Sequence, residues 1–224
     1  MTYSINLLRL FFRRQDQLLV LHKSERIQKF WRAFFILLLL SFITYGWTSW
    51  IGLGTDPLST SINELSRIDY EFQKAWFLIG RLGIALLLFL GIVLFTPFIF
   101  WLLFDLSYKK MVIVQMSVWL LMLVERLTWI PLMVYFGLDW YVSPLSLGVI
   151  ASYATQLEWI VYFFGAISLF QIFIIWFQIR SILYLSNSRN WWIISGVIFW
   201  HVLLWSGTAA LTHFDSPLVQ LLLS

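Results

Sequence analysis

Residues 75–104 read AWFLIGRLGIALLLFLGIVLFTPFIFWLLF, thirty positions in which Arg81 is the one charge. A helix of that length reaches ~45 Å at 1.5 Å per residue, more than the ~30 Å hydrocarbon core of a bilayer. Four further stretches have the same character. Ala33–Leu53 has 21 uncharged residues, and Met111–Leu138 has 28, interrupted only by Glu125–Arg126. Trp159–Ile179 has 21 uncharged residues, and Trp191–Leu211 has 21 with one histidine, His201. Each meets the requirement of roughly 20 mostly apolar residues for a spanning helix. The reading is an all-α, polytopic membrane bundle of five transmembrane helices.

Composition agrees. Of 224 residues, 12% are charged, 61% hydrophobic and 20% aromatic, where a soluble domain carries about 25% charge. Mean hydropathy is +0.84. These values exclude an ordinary cytosolic enzyme, a disordered chain and a nucleic-acid-binding module. The absence of cysteine removes disulfide scaffolds, thiol nucleophiles and Cys-type metal sites. No cleavable signal pattern precedes the first run, so the first helix is expected to act as its own insertion signal.

Orientation follows from the basic residues of the short loops. Arg9, Arg13, Arg14, Lys23, Arg26, Lys29 and Arg32 precede the first span, Lys109 and Lys110 separate the second and third, and Arg180 and Arg189 separate the fourth and fifth. Those eleven share one side, against Arg67 and Lys74 on the other. The N-terminus is therefore expected to be cytoplasmic and the C-terminus outside. The chain divides into a basic amphipathic segment (1–32), the five-helix domain (33–213) and a short external tail (214–224).

Three segments between or before the spans carry patterns of their own. At the N-terminus Ile5, Leu8, Phe11 and Phe12 share a helical face, with Arg9 and Arg13 on another. This fits an in-plane helix whose Arg9, Arg13 and Arg14 meet anionic head groups, or a helix docked on the bundle. Ser61-Ile-Asn-Glu64 is a capping box, after which Ile62, Leu65, Ile68 and Phe72 recur at helical spacing, so the second helix is expected to begin outside the bilayer. The loop Asp139–Glu158 is apolar but broken by Ser143, Pro144 and Gly148, and is read as lying on the membrane surface. Trp47, Trp50, Trp76, Trp129, Trp140, Trp159, Trp191 and Trp192 fall near span ends, as interface anchors do. Pro97 and Pro131 mark kinks in the second and third helices, as static bends or hinges.

Ionisable residues inside spans are costly and default to functional candidates. Depth places Glu125 and Arg126 near the middle of the third helix, His201 near the middle of the fifth, Gln171 on the fourth and Arg81 in the outer part of the second. A carboxylate and an imidazole in low dielectric can exchange a proton near neutral pH. Alternatively the same residues are interhelical glue. No nucleophile elbow, zinc helix, phosphate loop or dinucleotide fingerprint occurs. His22, His201 and His213 lie at three different depths, so no shared metal is expected. A serine–histidine pair of His201 with Ser117 or Ser168 lacks the Gly-rich frame that such a nucleophile needs. No enzymatic activity and no cofactor are expected.

Three stretches together resemble the Yip-domain family of five-helix membrane proteins. They are the lead-in Arg26-Ile-Gln-Lys-Phe-Trp-Arg32, the third helix from Met111 through Trp129-Ile-Pro-Leu132, and the final pair of helices around Ile167–Trp176 and Trp191–Trp200. The Asp-Leu-Tyr-Gly-Pro motif and the long soluble N-terminal region of eukaryotic members are absent, as is the glycine usual after the fourth helix. The chain is thus similar to the shorter bacterial type. The resemblance implies a non-enzymatic adaptor of the bacterial cytoplasmic membrane that binds lipids and a membrane-protein partner such as an ABC-type exporter. It transfers no site residues. The small residues Gly80, Gly83 and Ser206–Ala210 are expected to allow close helix approach. The competing expectation is a small proton-coupled transporter using Glu125, Arg126 and His201.

Overall fold

The computed structural model describes residues 2–52, 66–137 and 145–223, with side chains described as far as His213. The capping box at Ser61–Glu64, Trp140 and the start of the third loop lie outside the described residues. The chain forms two compact units. The first comprises residues 1–102 and 106–130, and the second residues 103–105 and 131–224.

The first unit opens with a small closed motif rather than one amphipathic helix. Strand β1 (Thr2–Ser4) pairs in parallel with β2 (Arg26–Gln28), and helices α1 (Leu7–Phe12) and α2 (Arg14–Lys23) make the crossover between them. Parallel pairing needs such a crossover. Tyr3, Leu10, Leu18 and Leu21 are its buried residues. The expected face of Ile5, Leu8, Phe11 and Phe12 is not a buried seam: Ile5 precedes α1, and Leu8 and Phe12 are 61% and 86% exposed. Asn6 caps α1 by accepting from the Arg9 N–H. Lys110 donates to the His22 carbonyl at 2.5 Å, tying the motif to the helix that follows the second span.

Helix α3 (Phe30–Trp50) is the first apolar span, and its Lys29 N-cap has a left-handed φ of 62°. Helix α4 (Arg67–Leu90) starts eight residues before Ala75, outside the apolar run, as an extended second helix requires. Its N-cap is Ser66, whose hydroxyl accepts from the Asp69 N–H and donates to the Asp69 carboxylate. A π turn over Gly91–Phe95 follows, then α5 (Thr96–Leu103). Pro97 has no N–H to give to the preceding turn. The helix accommodates this by widening just upstream, where Thr96 Oγ1 bonds the Gly91 carbonyl and the Tyr108 hydroxyl bonds the Leu94 carbonyl. Helix α6 (Tyr108–Phe136) is continuous through Pro131 and buried at every position from Met111 to Trp119. Pro131 is the residue at which the chain passes from the first unit to the second.

The core of the first unit is shared by α3, α4, the π turn and α6. Phe34 and Leu37 meet Ala85, Phe89 and Val93, with Met116, Trp119 and Leu123 closing it. On α4, Phe77, Arg81, Ala85 and Phe89 recur every four residues as the inward stripe, while Gly80, Ile84 and Leu87 are exposed. The helical period thus sorts a uniformly apolar sequence into two faces.

In the second unit the fourth predicted span is not one helix. Helix α7 (Gly148–Ala154) leads to α8 (Glu158–Gly165), the chain breaks at 166–168, and α9 (Leu169–Leu185) continues. Expectation and structure differ here because hydropathy is insensitive to backbone pairing. The Leu147 N–H bonds the Ile167 carbonyl and the Leu169 N–H bonds the Leu145 carbonyl, making an antiparallel bridge between Ser146 and Ser168. Within the third loop, residues 145–147 pair with this break. Helix α10 (Asn190–Leu223) packs on α8 and α9. Its backbone stays helical through most of the segment read as a tail. Gly196 lets Phe104 pack against α10, and Trp192 Nε1 bonds the Leu103 carbonyl.

The chain is mostly helical. Phe30–Trp50, Arg67–Leu103, Tyr108–Phe136 and Asn190–His213 are long and apolar enough to cross a membrane, and Leu169–Leu185 is a shorter apolar helix. The protein therefore has the character of an integral membrane helical bundle.

Candidate functional site

The polar residues at membrane depth fall into separate groups. In the first unit the Arg126 guanidinium lies 5.2 Å from the Tyr45 ring centroid and 5.0 Å from that of Trp129. Trp129 is three positions on and so on the same face of α6, while Tyr45 comes from α3. Arg81 stacks over Phe77 at 5.1 Å, one turn back on α4. Arg81 and Arg126 are close enough to interact electrostatically with each other and with Tyr45. The rings' negative faces partly replace water around the guanidinium groups, an effect of ~0.5–2 kcal/mol per contact. Glu125 is buried on the neighbouring position, and its carbonyl accepts from the Thr128 hydroxyl at 2.6 Å.

The sequence did not point to the interhelical bond that holds α3 to α6. Trp119 Nε1 donates to Ser41 Oγ at 2.7 Å, and Ser41 donates to the Leu37 carbonyl at 2.7 Å. Ser41, Thr44 and Thr48 are all buried on one face of α3. That stripe of small polar residues at helical spacing was the signal available.

In the second unit His201 Nε2 and Gln178 Oε1 are 2.7 Å apart, both residues buried. With the amide oxygen facing the ring, Nε2 is the donor of this bond. Trp205 lies beside the ring at 5.7 Å between centroids. By depth the sequence reading put Gln171 a little below His201, as a member of the same polar group; the side chain that meets His201 is Gln178. The two glutamines are seven residues apart and share a stripe of α9, and only Gln171 was singled out from the sequence. Gln171 is instead in the first turn of α9, where its N–H bonds Ser168 Oγ at 3.1 Å. Glu158 and His213 approach to 3.9 Å at the exposed ends of α8 and α10, a contact that solvent screening leaves weak.

Glu125, Arg126 and Arg81 thus belong to the first unit, and His201 and Gln171 to the second. Within the units the arrangement is a pair of aromatic-clad arginines and a buried histidine–glutamine bond. Arg9 and Arg13 are exposed and Arg14 is half-buried on the N-terminal motif. Trp47, Trp50, Trp76, Trp159, Trp191 and Trp192 are exposed, as interface anchors require. Among the described residues no group of three or more histidine, cysteine or acidic side chains is placed to hold a metal. No family model, curated protein or solved structure matches the chain.

Proposed function

We propose that the chain is a non-enzymatic accessory protein of the bacterial cytoplasmic membrane that binds and helps to assemble another membrane complex, with an ABC-type exporter as the partner class. In this reading the N-terminus is cytoplasmic and Arg9, Arg13 and Arg14 meet anionic head groups. The resemblance to the Yip-domain family supports it. The observation that carries it is the outward face of α4. A Cβ added at Gly80 or Gly83 meets nothing within 4 Å among the described residues, while Gly46 on α3 has Leu82 at 3.9 Å. The α4 glycines are therefore not used for packing inside the unit. Exposed Trp76, Ile79, Ile84 and Leu87 surround them, a combination that suits close approach of a second helix.

A photoreactive residue at Ile84 in native membranes tests the reading. The expected product is a crosslink to an exporter permease or its ATPase, lost in Gly80→Leu while the folded protein level is kept. A crosslink only to lipid or to a second copy of the chain is the outcome that sinks it.

A second reading, the proton-coupled transporter using Glu125, Arg126 and His201, draws on one observation. The fourth span is discontinuous, and carriers commonly bind solutes at such breaks. It requires that Glu125→Gln abolish transport at an unchanged protein level. Tolerance of that substitution removes it.

A further inference from the structure

The break between α8 and α9, which the second reading above takes only as a discontinuity, has a hydrogen-bonding chemistry of its own. The two flanking backbone bonds, Leu147 N–H to Ile167 and Leu169 N–H to Leu145, make Ser146 and Ser168 a pair without hydrogen bonds to each other. In such a pair the Cα atoms approach to about 4.5 Å and both side chains leave the same face. Ser168 is the N-cap of α9, its Oγ accepting from the Gln171 N–H. The Ser146 side chain is therefore directed toward the same helix N-terminus. Ser146 is 6% exposed, and its hydroxyl has no hydrogen-bond partner among the described residues.

The positive end of the α9 dipole, together with donors left unused beside it, sets the sign of a ligand at the break. Several carbonyls there are taken: Tyr162 and Phe163 accept from the Ala166 N–H, Phe164 from Ile167, Ile167 from Leu147 and Leu145 from Leu169, while those of Ser146, Gly165 and Ala166 meet no backbone donor among the described residues. Donors are left over. They are the Ser146 hydroxyl, the Ser168 hydroxyl proton, and the N–H of Phe170 in the first turn, which meets no acceptor among the described residues. The 17-residue α9 adds the positive end of its dipole. Buried polar groups are ordinarily paired, and an exception calls for an occupant.

We propose that this break binds a small, singly charged anion, of halide or carboxylate type, held by Ser146, Ser168 and the Phe170 N–H. A doubly charged phosphate fits less well. The described arginines of this unit, Arg180 and Arg189, lie twelve or more residues beyond Ser168, which for Arg180 is ~18 Å along α9. The placement also explains why non-helical backbone is tolerated within an apolar span: it lies against protein, paired to the 145–147 segment.

The test uses the full chain in phosphatidylcholine nanodiscs, with sodium gluconate exchanged for sodium bromide or sodium acetate at constant ionic strength. The readout is the thermal unfolding midpoint. Bromide, acetate or both are expected to raise it saturably, and the anion that does so identifies the type. Ser146→Ala should weaken the apparent affinity about tenfold, the loss of one hydrogen bond to a charge, and Ser146→Thr should retain it. Without anion Ser146→Ala is expected to fold at least as well as the parent, because it removes an unpaired buried hydroxyl. A midpoint that does not respond, responds without saturation, or saturates equally in Ser146→Ala overturns the proposal. None of these readouts depends on whether the chain assists an exporter.

Discussion

Ser41→Ala probes the bond between α3 and α6 most directly. The hydroxyl is fully buried, as is the Trp119 side chain, and the two meet at 2.7 Å across 78 residues of sequence. Because Ser41 donates to the Leu37 carbonyl, its oxygen is held with a lone pair toward the indole, so little rotamer freedom is lost in making the bond. Hydrogen bonds between membrane helices couple by about 0.6 kcal/mol on average and up to about 1.7 kcal/mol. The short distance and complete burial put this one near the upper end, so Ser41→Ala is expected to cost about 1.5 kcal/mol. Trp119→Phe removes the same bond and some packing. The edge contact that Trp119 makes with Phe89, 5.9 Å between centroids, should partly survive in the phenylalanine. Reversible unfolding in mixed detergent–SDS micelles, followed by circular dichroism, gives the two single changes and the double change. The double variant should be more stable than the sum of the singles by about 1–1.5 kcal/mol. Additivity within about 0.3–0.5 kcal/mol, the behaviour of independent sites, would refute the bond as the link between these helices.

Three other expectations follow from packing, pairing and pH. Gly196→Ala places a Cβ 2.8 Å and 3.1 Å from two ring carbons of Phe104, so the same unfolding assay should register a loss of about 1–3 kcal/mol. Phe104→Leu should relieve it, and an undiminished Gly196→Ala penalty in that background would count against the contact. Gln178→Leu strands the His201 N–H and should cost about 1–3 kcal/mol. Adding His201→Phe should recover most of that, and a double variant no better than the single contradicts the pairing. Tyr3 lies outside the spans with its hydroxyl buried and unpartnered among the described residues, and burial pushes its phenol up to about 12 from 10.0. The folded motif therefore holds the proton more tightly than the unfolded chain, and this contribution is complete below pH 10 and lost between pH 10 and about 12. Tyr3→Phe should remove that alkaline decline in the thermal midpoint, and an identical decline in both proteins would show that Tyr3 is not its source.

The candidate sites were legible only where burial and composition coincide. Glu125, Arg126, Arg81 and His201 stand out because a charge or imidazole in an apolar run is costly wherever the run is placed. Their partners were not legible. Arg126 meets two aromatic rings, and His201 meets Gln178 rather than Gln171, because pairing depends on which face each helix turns to its neighbour.

By itself the sequence determined the solvent. Apolar runs long enough for a bilayer and so few charges decide membrane residence irrespective of how the helices touch. Only the tertiary structure decided the closed N-terminal motif, whose strands are separated by two helices in sequence. Only it decided the broken fourth span. Residues 159–179 carry no charge, and an intact helix satisfies its own backbone there. The break becomes affordable only when Leu145 and Leu147 supply the bonds that the helix gives up. Hydropathy sums over residues one at a time, whereas those bonds join segments some twenty positions apart.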